Sequence, residues 1–198
     1  MIDLLKSRLY NTSLKKIIDI LNKLKIKPNQ LTTFGLLFGI LAAFFIYKRF
    51  FIISVIFIIL STFCDMFDGW LARATKQETK FGKIYDVAMD KYVEGFIGLS
   101  LAFIMPPFIL SGYVWAILGT FGSIIISVIS NAALQVTNEK VFKFMSRSDR
   151  GLILVLGLLV ASQFGDIILT YTAILLTLFS HLTIVLMLFS YKKVLKNK

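Results

Sequence analysis

The chain is a succession of long apolar runs separated by short charged, Gly-containing or Pro-containing connections, and that pattern leaves few folds open to it. A helix needs about 20 mainly apolar residues to cross the hydrocarbon of a bilayer. Six stretches approach that requirement: Leu31–Tyr47, Phe50–Phe67, Asp86–Met105, Tyr113–Val136, Gly151–Phe164 and Ile167–Tyr191. Pro106-Pro107 followed by Ser111-Gly112 marks one reversal and Gly165-Asp166 another, so the turn residues fall between the apolar runs. Of the 198 residues 57% are hydrophobic and 17% charged, against roughly 45–50% and about 25% in average globular chains. A soluble globule of this size could not hide that surface, and a disordered chain would lack it. A single cysteine, Cys64, excludes a disulfide framework within the chain, and with a single histidine, His181, it leaves no Cys/His zinc site. Both lie in apolar runs and read as buried structural residues. The expected fold is all-α integral membrane, with six transmembrane helices.

The basic residues orient it. Twenty of the 22 Lys and Arg fall before the first run, between the second and third, after the fourth, or at the C-terminal end, and only Lys48 and Arg49 fall on the opposite side. Such an asymmetry marks the cytoplasmic face, which places both termini in the cytoplasm and the protein in the cell membrane as a multi-pass species. The net charge of +11 is spread along that one face, so anionic membrane lipids suit it better than nucleic acid, for which aromatic interleaving is also missing. Residues 1–27 are too charged for a cleaved leader. There Leu14, Ile17, Ile18, Leu21 and Leu24 recur at helical spacing opposite Lys15, Lys16, Asp19, Asn22 and Lys23, with Ser13 as an N-cap. This is the pattern of a juxtamembrane amphipathic helix lying in the interface. Residues 28–198 then form one six-helix transmembrane domain.

Six of the eleven acidic residues (Asp65, Asp68, Glu78, Asp86, Asp90 and Glu94) fall within thirty positions. Asp65 and Asp68 are three apart at the end of the second run, and Asp86 and Asp90 four apart at the start of the third, spacings that share a helix face. Two neighbouring helices can therefore point two carboxylate pairs at one place. Carboxylates at membrane depth are costly, and they are relieved by protonation, by cations, or by pairing with Arg73, Lys83 and Lys91. Four formal negative charges match two divalent ions, and oxygen ligands suit Mg²⁺, Mn²⁺ or Ca²⁺ rather than zinc. Magnesium usually keeps positions for water and substrate phosphates, so a phosphorylated ligand is expected. Glu94, one turn beyond Asp90, is suited either to an acceptor contact or to pairing with Lys91 or Arg150.

The segment that holds the acids reads Asp65-Met66-Phe67-Asp68-Gly69-Trp70-Leu71-Ala72-Arg73, then Gly82, Asp86 and Asp90. It resembles the signature of the CDP-alcohol phosphotransferase (CDP-alcohol phosphatidyltransferase) family, D-x-x-D-G-x-x-A-R-x₈-G-x-x-x-D-x-x-x-D, and every specified position matches. From average composition a chance match is on the order of one in 10⁷. The resemblance implies an enzyme of phospholipid biosynthesis that joins the hydroxyl of a small alcohol to a phosphoryl group of a CDP-linked donor and releases CMP. It implies that Asp65, Asp68, Asp86 and Asp90 bind two divalent cations, Mg²⁺ or Mn²⁺ with Ca²⁺ as a substitute or inhibitor, and that Asp90 is also the general base. Gly69, Ala72, Arg73, Thr79, Gly82 and the segment Pro28-Asn29-Gln30-Leu31-Thr32 would line the CDP site. Gly69 and Gly82 would admit backbone close to the nucleotide, Ala72 would keep the wall small, and the guanidinium of Arg73 suits phosphate oxygens. Pro28-Asn29 reads equally well as a helix start. The resemblance further implies a cytoplasm-facing site and a homodimer.

The acceptor is less constrained. Arg147-Ser148-Asp149-Arg150 opens the fifth run, where a helix N-terminus already favours anions. It is similar to the acid-Arg step of inositol-phosphate-using family members, so Arg147 and Arg150 are the acceptor candidates, although positive-inside topology alone also places basic residues here. The donor expected is a CDP-linked lipid, diacyl or archaeal ether (archaetidyl-type). Glycerol phosphate or serine as acceptor, or a soluble CDP-alcohol as donor, are the alternatives within the family. From another class, a divalent-cation transporter could use the same acids, but it should place polar groups near the midplane, and runs one, four, five and six carry no acid at mid-span. A non-catalytic scaffold leaves the four carboxylates unexplained. Gly35 and Gly39 form GxxxG, which permits close helix packing.

Overall fold

The structure, a computed structural model, describes residues 16–137 and 144–196. Ser13, Leu14 and Lys15, and the basic residues Lys6, Arg8, Lys140, Lys143 and Lys198, lie outside the described residues. Among those described, the regular structure is helical: α1 over residues 16–23, α2 Pro28–Tyr47, α3 Phe51–Ala74, α4 Lys80–Ile104, α5 Gly112–Thr137, α6 Arg147–Phe164 and α7 Ile167–Lys196. On α1, Ile17 and Ile20 are exposed, as is Leu24 just beyond it.

The helix ends differ from the apolar runs in ways that local chemistry explains. α2 starts at Pro28, ahead of the run at Leu31, because a proline in the first turn gives up an N–H that has no helical partner. The Gln30 Oε1 reaches back to accept from the Lys27 N–H at 2.8 Å. α3 continues past Phe67 to Ala74, since polar side chains end an apolar run without ending a helix. α4 begins at Lys80, where Thr79 acts as its cap: the Gly82 N–H donates to Thr79 Oγ1 at 2.9 Å. The Pro106-Pro107 and Gly165-Asp166 turns fall where expected, and Gly165, at φ 90° and ψ 173°, supplies a positive-φ conformation open to glycine that stops α6.

Four helices, α2, α3, α5 and α7, are long and apolar enough to cross a membrane. α4, with 25 residues, has the length but carries Lys83, Asp86, Asp90, Lys91 and Glu94. The 18 residues of α6 open on Arg147, Asp149 and Arg150. Asp86, Asp90, Arg147 and Arg150 among these charges are the candidate site residues.

The chain gathers into two compact units, Met1–Gly39 with Phe57–Tyr92, and Ile40–Ile56 with Val93–Lys198. In the first, α2 meets α3 at Gly35, where an added Cβ would lie 3.3 Å from Cys64 Cβ, and Ser61 Oγ donates to the Gly35 carbonyl at 2.7 Å. Gly39 is also buried, so the GxxxG glycines serve packing. In the second unit, Ile126, Met187 and Tyr191 form a core between α5 and α7. α6 and α7 approach closely at Gly157, where a Cβ would sit 2.4 Å from Thr172 Oγ1. Cys64 is buried as expected, but His181 is exposed. Its ring Nδ1 lies 2.9 Å from the Thr177 carbonyl one turn earlier on α7, so an apolar surrounding sequence did not mean an interior position.

Candidate active site

The acids sit in the first unit, on α3 and α4. Asp65, Asp86 and Asp90 each present a carboxylate oxygen within 4.8 Å of the other two, and all three are half-buried. The i,i+4 spacing of Asp86 and Asp90 puts both on one face of α4, and α3 brings Asp65 to meet them. Like charges at such distances repel strongly where water is scarce, and hard oxygen donors are the set that Mg²⁺ and Mn²⁺ prefer. The three residues can hold a divalent ion.

Asp68, one turn after Asp65, is buried at 5% exposure, and its Oδ2 accepts a hydrogen bond from Thr32 Oγ1 of α2. Gly69 lies beneath the Arg73 guanidinium: a Cβ there would stand 3.4 Å from Nη1. Arg73 itself is exposed and Ala72 half-buried. A Cβ on Gly82 would come within 3.0 Å of Thr79 Oγ1 and 3.2 Å of Asn29 Oδ1, so Gly82, Thr79 and Asn29 form one contact between α4 and the start of α2. Pro28 is half-buried, Asn29 and Gln30 are exposed, and Leu31 and Thr32 are buried. Of the residues expected to line a nucleotide site, Thr79 and Gln30 thus have helix-capping duties as well.

The acceptor candidates lie in the second unit. Arg147 is exposed. Arg150 is buried at 7% exposure; its Nε donates to Ser123 Oγ at 3.0 Å and its Nη1 to the Met145 carbonyl at 3.3 Å. The charge of Glu94 acts on that guanidinium. Asp149 belongs to a capping box. The Ser146 N–H donates to its Oδ2 at 2.8 Å and its own N–H to Ser146 Oγ. Those bonds hold its carboxyl below the usual carboxylate range. Ser123, Thr33 and Tyr85 carry no signal in the sequence pattern. Thr33 Oγ1 and Tyr85 OH are 2.9 Å apart, and nothing in their spacing signals that pairing.

Fold and site together define a class: a protein whose regular structure is helical throughout the described residues, with helices long and apolar enough to cross a membrane and three carboxylates placed so that they could hold a divalent cation. A family model for CDP-alcohol phosphatidyltransferases matches residues 25–190. The chain belongs to the CDP-alcohol phosphatidyltransferase family. It is 37% identical over 89 residues to the archaetidylinositol phosphate synthase of Pyrococcus horikoshii, 45% of this chain and 47% of that one. It is 33% identical over 104 residues to the bifunctional IPC transferase and DIPP synthase of Aquifex aeolicus, 52% of this chain and 24% of that one. The matched segments span less than half the length of these curated relatives. The fold is that of the phosphatidylinositol phosphate synthase of Mycobacterium tuberculosis: its crystal structure with CDP-DAG bound superposes with TM-score 0.78 at 20% identity, covering 90% of this chain and 92% of that one. The same enzyme with manganese and citrate gives TM-score 0.77, covering 90% and 88%.

Proposed function

We propose that this protein transfers a phosphatidyl-type or archaetidyl-type group from a CDP-linked lipid to the hydroxyl of inositol phosphate, releasing CMP. The observation that carries the reading is the convergence of Asp65, Asp86 and Asp90 within 4.8 Å, on the motif of a family defined by this chemistry. The inositol-phosphate acceptor is supported by the Pyrococcus relative. A CDP-linked lipid donor is supported by the fold neighbour crystallised with CDP-DAG. Six spans are supported by the six apolar runs, cytoplasmic termini by the charge asymmetry, and a cytoplasm-facing site and a homodimer by the family resemblance.

In this reading Asp65, Asp68, Asp86 and Asp90 hold two divalent cations, Mg²⁺ or Mn²⁺, which would neutralise the pyrophosphate and stabilise charge on the attacking and leaving oxygens. Asp90 accepts the proton of the acceptor hydroxyl, whose oxygen forms a bond to the lipid-side phosphorus as the bond to the CMP oxygen breaks. A carboxylate among cations stays ionised and available as a base. Arg73 binds a phosphate of the donor, and Gly69, Ala72, Thr79, Gly82 and Pro28-Asn29-Gln30-Leu31-Thr32 line its CDP moiety. Arg147 and Arg150 bind the phosphate of the acceptor.

The test is CMP release by purified protein with Mg²⁺ or Mn²⁺, CDP-diacylglycerol or its archaeal ether analogue, and a panel of alcohols. Inositol phosphate should support turnover, and glycerol phosphate and serine should not. No CMP release with any acceptor, together with metal-dependent ion flux in liposomes, would support transport instead. Arg147→Ala and Arg150→Lys should each raise KM for inositol phosphate by roughly 10- to 100-fold with little change in KM for the donor, because a lost charge-assisted hydrogen bond is worth roughly 1.5–3 kcal/mol. The lysine variant keeps the charge at a buried position, so the comparison is made on folded protein. An unchanged acceptor KM in both variants would remove these arginines from the acceptor site.

A further inference from the structure

Three contacts join the start of α2 to the two carboxylate-bearing helices, and they bear on Thr32, which the reading above places in the CDP wall, and on Thr33 and Tyr85, to which it gives no task. Thr32 Oγ1 donates to Asp68 Oδ2 on α3. Among the described residues its other acceptor is the Pro28 carbonyl at 3.2 Å, and one hydroxyl has one proton. A charged acceptor holds that proton more strongly than a neutral carbonyl, so Thr32 is committed to Asp68 and has none to offer a nucleotide. Next to it, Thr33 Oγ1 donates to the Asn29 carbonyl at 2.8 Å. With the Thr33 proton spent there, the 2.9 Å contact with Tyr85 runs from the tyrosine: Tyr85 O–H donates to Thr33, and Thr33 to Asn29. Such a chain polarises along its length and is stronger than its separate bonds. Tyr85 immediately precedes Asp86, and Asp90 follows one turn later. A turn before Tyr85, a Cβ on Gly82 would lie 3.2 Å from Asn29 Oδ1, so α2 and α4 also run close there. Thr33 on Tyr85 and the close approach of Asn29 to Gly82 are spaced by four residues on α2 and three on α4.

We infer that Thr32 and the Thr33–Tyr85 pair are positioning residues for the cation site, rather than parts of the wall that touches the nucleotide. Thr32 stops the Asp68 carboxyl group from turning about its own axis. The Tyr85–Thr33–Asn29 chain holds α4 against sliding or rolling, and either motion would carry Asp86 and Asp90 together away from Asp65. Both arms spring from neighbouring residues of α2, so that helix sets the α3 and α4 carboxylates in one frame. The inference rests on the metal-site part of the proposed function.

The test measures Mn²⁺ binding, with no substrate, by electron paramagnetic resonance on the purified full chain in detergent. It compares wild type, Asp86→Asn, Thr32→Val, Thr32→Ser and Tyr85→Phe. Groups that orient metal ligands typically contribute about 10- to 100-fold in affinity. Thr32→Val and Tyr85→Phe should weaken Mn²⁺ binding within that range, while Thr32→Ser, which keeps the hydroxyl, stays within about threefold of wild type. Tyr85→Phe keeps the ring and removes one proton donor, so it keeps the inference open to refutation if Thr32→Val does not fold. Unchanged Mn²⁺ affinity in Thr32→Val and Tyr85→Phe, with binding lost in Asp86→Asn, would overturn the inference and leave the metal site standing. A loss of CDP binding in Thr32→Val at unchanged Mn²⁺ affinity would return Thr32 to the nucleotide wall and overturn it equally. No Mn²⁺ binding by wild type, or full binding by Asp86→Asn, would sink the metal site itself and this inference with it.

Discussion

Asp90→Asn is expected to lower CMP release by about 10²- to 10⁴-fold, the usual contribution of a positioned general base, while CDP-donor affinity stays within a few-fold. The substitution keeps the volume and one oxygen, so an asparagine can still face a cation, but it cannot take the proton of the acceptor hydroxyl. Measuring donor binding and turnover on the same preparation separates the two duties proposed for this residue. A parallel loss of both would reduce Asp90 to a ligand. The helix should not suffer, because the side chain is only half-buried and its partners in the triad are like-charged carboxylates.

Withdrawal of divalent cations is expected to have an effect of similar size. Chelation should abolish CMP release, and Mg²⁺ or Mn²⁺ should restore it, with Ca²⁺ substituting poorly or inhibiting. The same chemistry gives Asp65→Asn and Asp86→Asn a signed consequence for stability. In the metal-free protein three carboxylates within 4.8 Å repel one another, so removing one charge should raise the melting temperature. With Mn²⁺ present the order should invert, since a ligand that binds only the folded state stabilises by mass action and the variants bind it less. This opposition is the usual cost of assembling a functional site. Thermal unfolding in detergent with and without Mn²⁺ reads both signs, and a metal-free melting temperature that falls on neutralising Asp86 would contradict the repulsion argument.

Much of the site was legible because a helix converts spacing into direction. Asp86 and Asp90 at i,i+4, and Asp65 with Asp68 at i,i+3, could be assigned to faces before any coordinates. Three of these four side chains do share one oxygen cluster. Asp68 could not be resolved that way: whether a carboxylate joins its neighbours or meets a hydroxyl from another helix depends on what packs against it, and Thr32 lies 36 residues away in the chain. Arg150 is a similar case. A basic residue at the start of an apolar run reads as surface charge, yet its stem carries the guanidinium inward to Ser123 and the Met145 carbonyl. His181 went the other way, exposed although its sequence neighbours are apolar.

The sequence by itself determined the helices, which of them are long and apolar enough to cross a membrane, and the identity of the acids, because these depend on composition and on periods of a few residues. Tertiary structure alone decided which hydroxyl holds which carboxylate, and that α2 packs on both α3 and α4. Hydrogen bonds between distant segments are made within about 3 Å, a precision no local pattern can encode, since it arises only when packing brings the segments together.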